Sequence, residues 1–197
     1  MPPPTRNAAA TREAILFAAK QRFLLDSYDA VGLREIAGDV GVDVSLIGRY
    51  FGSKEKLFLA VLRHGKARMD EQAPDARDLP AYMAALALPD GEDGDCGHIE
   101  RLQIILRSAS SAKASEIVHK SFQEDVLGPI AARLPGADAE LRATMAMSVL
   151  TGTTIMRAIM GVNALCECDC ARVRSDIEAL LRSALFGPCT VGEPQGA

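Results

Sequence analysis

Ser45, Arg49 and Tyr50 carry a hydroxyl, a guanidinium and a phenol at i, i+4 and i+5, with Val44 and Leu46 beside them. On a helix these five occupy one side and its flanks, while Ile47 and Phe51, also four apart, point the other way. The group contains no nucleophile with a base beside it and no metal-ligand set. A guanidinium and a hydroxyl on an outward helix can instead meet base edges and phosphates. The segment is read as a probe for a nucleic-acid groove.

The elements that must position this probe follow from spacing. Leu33, Ile36, Ala37 and Val40 fall at i, i+3, i+4 and i+7, the apolar stripe of a short helix. Gly41 follows, where a left-handed residue ends a helix without a Cβ clash. Asp43 suits the N-cap of the next helix, its carboxylate accepting amide protons that lack helical partners. A short helix, a tight turn and a second helix with a polar outer face form a helix-turn-helix, whose second helix enters the major groove. The competing reading is an ordinary helical hairpin of a bundle.

Further residues make the pattern specific. Ile15, Ala18, Ala19 and Phe23 lie in a first helix, followed by Tyr28, Ile36-Ala37, Gly41-Val42 and the run Tyr50-Phe51-Gly52-Ser53-Lys54-Glu55-Lys56-Leu57. Over roughly residues 11–62 the chain resembles the DNA-binding domain of the TetR (tetracycline-repressor-like) family. The resemblance implies that Lys54 matches the family's phosphate-contacting lysine. Two positions depart from the family pattern. Gly32 stands where a Ser or Thr usually caps the second helix, so that cap must come from backbone or water. Gly48 stands where a Tyr usually touches a DNA phosphate, and that contact is missing here. The expected DNA-binding residues are Arg34, Val44, Ser45, Leu46, Arg49, Tyr50 and Lys54, with Arg12 adding a backbone contact.

The net charge of -4 opposes DNA binding until it is divided along the chain. Residues 1–68 hold 11 Lys+Arg against 7 Asp+Glu; residues 69–197 hold 11 against 19. Exposed charges are screened over about 8 Å at physiological salt, so the local excess is what a phosphate meets. A basic head on an acidic body suits a DNA reader with a separate regulatory domain. Met1-Pro2-Pro3-Pro4 lacks the pattern of a signal peptide. The apolar stretch Thr144 to Leu165 is broken by Ser148, Thr151, Thr153, Thr154 and Arg157, against a membrane span. Five cysteines, an odd count, argue for reduced thiols, and a cytoplasmic location is expected.

The fold expected is all-α. A three-helix DNA-binding domain with the helix-turn-helix occupies 9–67, and a helical effector-binding and dimerisation domain occupies 68–187. Residues up to Ala10 read as a disordered arm, with Arg6 available to the DNA backbone. Helices are expected at Thr11 to Leu25, Lys54 to about Gln72 with Ser53 as N-cap, and Ala81 to Leu88. An acidic glycine-rich loop, Pro89 to Gly97, precedes further helices at Ile99 to Ser108, Ala112 to Leu134, Asp138 to Val162 and Val173 to Phe186.

Two apolar faces close the chain: Leu141, Met145, Val149, Gly152, Met156 and Ile159, then Val173, Ile177, Leu180, Leu181, Ala184 and Leu185. Two such helices from each of two subunits can form a four-helix bundle across a two-fold axis, and the alternative is a monomeric core. The resemblance implies the same homodimer, joined through the last two long helices and binding a roughly palindromic double-stranded operator. It also implies a small organic effector. Met83, Leu86, Leu102, Ile105, Leu106, Ile117, Phe122, Met145 and Met156 are candidates to line its chamber, with Arg107 or Arg157 as an anchor if the effector is acidic. Each of these can equally be plain packing or surface charge.

The function expected is thus a one-component transcriptional repressor released by a small molecule. The alternative is a metal- or thiol-responsive sensor built on Cys166, Cys168 and Cys170, with Cys96 and His98 as further ligands. Cys-x-Cys-x-Cys lacks the two-residue gap of structural zinc sites, so the segment reads as a polar loop with incidental thiols. There is no Walker loop, no Gly-x-Ser-x-Gly and no His-Glu-x-x-His, and no enzyme, cofactor or metal is expected.

Overall fold

The computed structural model describes residues 5–64, 74–88, 97–166 and 170–187. Among them every regular element is helical. The chain divides into two compact units, Met1–Lys66 with Cys96–Ser121, and Ala67–Asp95 with Phe122–Ala197.

The first unit is built on α1 (Thr5–Leu25), α2 (Leu33–Val40), α3 (Val44–Phe51) and α4 (Lys54–Arg63). Helix α1 starts six residues before the expected Thr11, because Ala8, Ala9 and Ala10 are strong helix formers that extend it toward the N-terminus. An arm running to Ala10 is therefore not observed. Ile15, Leu16, Ala19 and Phe23 of α1 are buried with Ile36, Ile47, Leu57, Phe58 and Val61. Three rings form the middle of this core. Phe23 stacks on Tyr28 (centroids 6.1 Å apart), and Phe58 meets both edge-on, at 4.9 and 5.0 Å.

Helix α6 (Gly97–Ser108) and the first ten residues of α7 (Ala112–Phe122) belong to the same unit. Ile104 and Ala114 are buried in the same core as the three rings. The buried Tyr28 amide donates to Ser108 Oγ at 3.1 Å, and the Ser111 hydroxyl donates to Asp29 Oδ1 at 3.1 Å. Lys20 and Glu100 add an ion pair. The expected helix from Ala112 to Leu134 is interrupted by a π-helical turn, Gln123–Leu127, before α8 (Gly128–Ala131). Gly128 permits that turn, since a Cβ there would lie 3.1 Å from the Gln123 carbonyl oxygen.

In the second unit α5 (Leu79–Ala87), α9 (Ala139–Thr154) and α11 (Cys170–Phe186) pack on one another. Met83, Ala84, Ala143, Ala146, Ile177, Leu181 and Leu185 fill the space between them. The segment expected to be one helix to Val162 changes to a π turn at Ile155–Ile159, and a short α10 (Asn163–Cys166) follows. Along α9, Thr144, Ser148 and Thr154 turn their hydroxyls back onto the carbonyls of Glu140, Thr144 and Leu150 at 2.8–2.9 Å. This satisfies them without a partner outside the helix. No helix among the described residues is long and apolar enough to cross a membrane.

Arg142 is buried, and its guanidinium donates to the carbonyls of Leu185 (2.8 Å), Ala137 (3.1 Å) and Pro135. The Leu185 carbonyl lies at the C-terminal end of α11, where the helix dipole favours a cation. The Pro135 and Ala137 carbonyls belong to a turn with positive φ at Gly136 (82°) and Asp138 (57°). One side chain thus holds both the end of α11 and the entry to α9. Replacing it leaves the buried Leu185 carbonyl without this donor, costing about 1–3 kcal/mol, while water can replace it at the exposed Pro135 and Ala137 carbonyls. The expected outcome for Arg142→Met is a loss of about 1–3 kcal/mol in urea unfolding, with unchanged far-ultraviolet dichroism at zero denaturant.

Candidate nucleic-acid interface

Helix α3 has only eight residues, too short to persist without fixed ends. Asp43 Oδ1 accepts the Ser45 amide proton at 2.8 Å, capping its start. The Ser45 hydroxyl first, and then its amide, hold the Asp43 carboxyl below the usual range, so the cap is charged at neutral pH. Upstream, Gly41 takes φ 70°, and the amides of Gly41 and Val42 donate to the carbonyls of Gly38 and Ala37 at 3.2 and 3.0 Å. These two bonds close α2 with a Schellman turn. They set the angle between the two helices.

Ile47 and Phe51 are buried, anchoring α3. Ser45 and Arg49 are exposed, as is Val44 at 37%. Leu46 and Tyr50 are half-buried, Tyr50 packing against the rim of the core. Arg34 is exposed on α2. Thus the seven expected DNA-binding residues all have a side chain exposed or half-buried at the surface of one unit.

Lys54 opens α4, and Ser53 Oγ accepts the Lys56 amide at 3.3 Å as its cap. Lys54 Nζ sits 4.6 Å from the centre of the Tyr28 ring, within the reach of a cation–π contact. Burial lowers its pKa, against the pull of the Asp29, Glu55 and Glu35 carboxylates. The same burial, helped by Glu55 and Asp29, pushes the Tyr28 phenol up to about 12. The phenol therefore stays neutral at physiological pH and faces the lysine as an uncharged ring. The positive end of a helix with a cation beside it favours a phosphate oxygen.

Several supports of this surface lie outside the sequence pattern. The missing cap at Gly32 is met in part by a side chain: the Gly32 amide donates to Glu35 Oε2 at 2.9 Å. The three-residue spacing from Gly32 to Glu35 is the second half of a capping box, and could have signalled it. Arg22 and Asp39 form a bidentate pair at 2.7 Å linking α1 to α2, which holds the Asp39 carboxyl below its ordinary value. They lie 17 positions apart, beyond any helical spacing. Arg12 lies over the Phe51 ring at 4.9 Å.

Seven of the nine candidate ligand residues are distributed differently. Met83 is fully buried and Phe122 packs against the same core. Leu102, Ile105 and Leu106 lie on α6 in the first unit, Ile105 at the rim of its core and Leu106 exposed. Met145 and Met156 are exposed. Cys166 and Cys170 are exposed free thiols, and Cys168 and Cys96 lie outside the described residues. No group of three or more potential metal ligands occurs among the described residues.

Two family models match this chain. One, for bacterial regulatory proteins of the tetR family, covers residues 15–61. The other, for the tetracycline-repressor-like C-terminal domain, covers residues 92–185. The chain belongs to the TetR family, whose members are transcriptional regulators. The HTH-type transcriptional repressor AcnR of Corynebacterium diphtheriae is 28% identical over 116 residues, 59% of this chain and 60% of AcnR, less than two thirds of its length. The HTH-type transcriptional regulator BetI of Rhizobium meliloti is 29% identical over 164 residues, 78% of this chain and 81% of BetI. Among solved structures NalD, the secondary repressor of the MexAB-OprM multidrug efflux pump in Pseudomonas aeruginosa, shares the fold. It has a TM-score of 0.66 at 19% identity over 94% of this chain and 100% of NalD.

Two outcomes are expected from this geometry. A Cβ at Gly48 would meet nothing within 4 Å, so Gly48→Ala should raise stability by about 1 kcal/mol in urea unfolding. The Asp39 pair stabilises the folded head above the ordinary carboxyl value of 3.8, and that contribution disappears as pH falls through the lower folded value. Asp39→Asn should therefore melt lower at neutral pH and lose less on acidification below 3.8, as read from melting midpoints against pH.

Proposed function

We propose that this regulator binds a roughly palindromic duplex operator as a homodimer, represses transcription there, and is released by a small organic effector. The observation that carries the reading is α3: a capped helix anchored by Ile47 and Phe51, with Ser45 and Arg49 turned to solvent. In this reading α3 lies in the major groove. Arg49 meets a guanine or a phosphate, Val44, Ser45, Leu46 and Tyr50 contact bases and backbone nearby, and Arg34 and Lys54 meet phosphates. The head, 9–67, reads DNA, and 68–187 carries effector binding and dimerisation. AcnR and NalD being repressors supports repression here.

The dimer reading draws on one unit alone. Helices α9 and α11 and the π turn between them leave Leu141, Met145, Met156, Ile159 and Leu180 exposed. Ile177, Leu181 and Leu185, read from spacing as part of an inter-subunit face, instead lie in the chain's own core, because α5 and α9 cover that side of α11. The proposed interface is the opposite side, centred on Leu180, 58% exposed, and Met145, 48% exposed. Exposed apolar side chains in this number favour a self-complementary contact across a two-fold axis. Two heads held in this way would meet half-sites spaced by about 34–36 Å or multiples of it.

Duplex selection followed by gel shift tests the whole reading, and a chain that ignores every duplex at low salt overturns it. Within a selected operator, Arg49→Ala should cost about 1–3 kcal/mol if it contacts a base, and relax preference at one position of each half-site. Lys54→Ala should weaken all sequences alike and reduce the salt slope by about 1, whereas altered base preference would remove Lys54 from the phosphate role. Met145→Glu with Leu180→Glu should yield monomers by sedimentation and weaken operator binding while leaving helical content intact.

A further inference from the structure

An open concavity of about 440 Å³ lies between α1 and α4, rimmed by Arg12, Lys56, Arg63 and His64 over a floor that includes Leu16 and Leu59. It adjoins the end of α3. Arg12 covers the Phe51 ring, and a Cβ added to Gly52, the residue closing α3, would lie 3.6 Å from Lys56 Nζ. Glu13 Oε1 lies 3.2 Å from His64 Nε2, an ion pair when that histidine is protonated. Arg12, Lys56 and Arg63 bring three cationic side chains to the rim.

Resting on the reading of this unit as a DNA reader, we propose that the concavity holds the sugar–phosphate strand that borders the groove entered by α3. Three observations favour a strand over a small anion. The concavity is open, whereas sites for small ligands bury about 70–90% of the ligand surface. Its cations are strung along helices instead of converging: Lys56 and Arg63 stand seven residues apart on α4, about 10.5 Å at 1.5 Å per residue. At that separation the two cations reach different phosphates of one strand and cannot both close on a single small ion. Finally, the apolar floor offers contact to deoxyribose faces, while the rim addresses phosphates on either side. The groove thereby widens the DNA footprint beyond α3 and the start of α4.

The test uses the full chain and a duplex chosen by selection. Lys56→Gln with Arg63→Gln, both exposed positions, is compared with the parent for salt dependence, phosphate-ethylation interference and base preference. The proposal expects the plot of log affinity against log salt to become shallower by about 1.8, at about 0.9 for each phosphate no longer neutralised. It expects interference to vanish at phosphates flanking each half-site, with base preference unchanged and the slope restored by Lys56→Arg with Arg63→Lys. An unchanged slope and interference pattern overturns it. So does a double variant that keeps both yet loses tight binding of inorganic pyrophosphate, which marks a small-anion site. A parent chain that binds no duplex overturns the DNA reading itself, and that outcome is separate because it appears before any substitution.

Discussion

The head depends on the three-ring contact of Phe23, Tyr28 and Phe58. These rings come from α1, from the loop after it and from α4, and they are all buried. Helices α2 and α3 have eight residues each and cannot hold themselves; they lean on the frame this contact makes. Tyr28 does more than fill space. Its amide is bonded to Ser108 at the end of α6, and its ring lies under the Lys54 ammonium. A displacement of α6 must therefore either break the Ser108 bond or carry Tyr28 with it, and Tyr28 touches the start of α4. Coupling between sites needs a physical linkage of this kind.

Around that frame, charge and capping are arranged for precision at a small surface. Asp43, Ser53 and Glu35 each accept an amide proton at the start of a short helix, and Gly41 closes α2. Arg22 and Asp39 fasten α1 to α2 from outside. The cations left facing solvent, Arg34 and Arg49 among them, sit on elements whose backbones are fixed at both ends. Preorganisation of this sort lets exposed side chains meet a duplex without first ordering the backbone that carries them.

Much of the head was legible as local pattern. Leu33, Ile36, Ala37 and Val40, then Gly41 and Asp43, define two helices and a turn through interactions that span four residues or fewer. The structure has α2 and α3 at these bounds, with these caps. The outward set on α3 was legible for the same reason, since Ile47 and Phe51 fix which side is buried. The Arg22–Asp39 pair was not, because nothing local relates residues 17 positions apart. The π turns at Gln123–Leu127 and Ile155–Ile159 read as continuous helix in the sequence, since hydrophobic spacing does not register one extra residue per turn.

What the chain's order of residues determined by itself is therefore α2 and α3, the caps and turn between them, and the outward face of α3. Those properties arise from backbone capping and 3.6-residue periodicity, which act within one or two turns. Tertiary structure alone decided the rest. It assigned α6 and most of α7 to the unit that carries α3, through Ile104, Ala114 and the Ser108 bond to Tyr28. It also turned Ile177, Leu181 and Leu185 inward while leaving Leu180 outside. An amphipathic stripe states only that a face must be covered. Which surface covers it depends on contacts between residues far apart in the chain, where packing geometry and burial choose among partners of equal hydrophobicity.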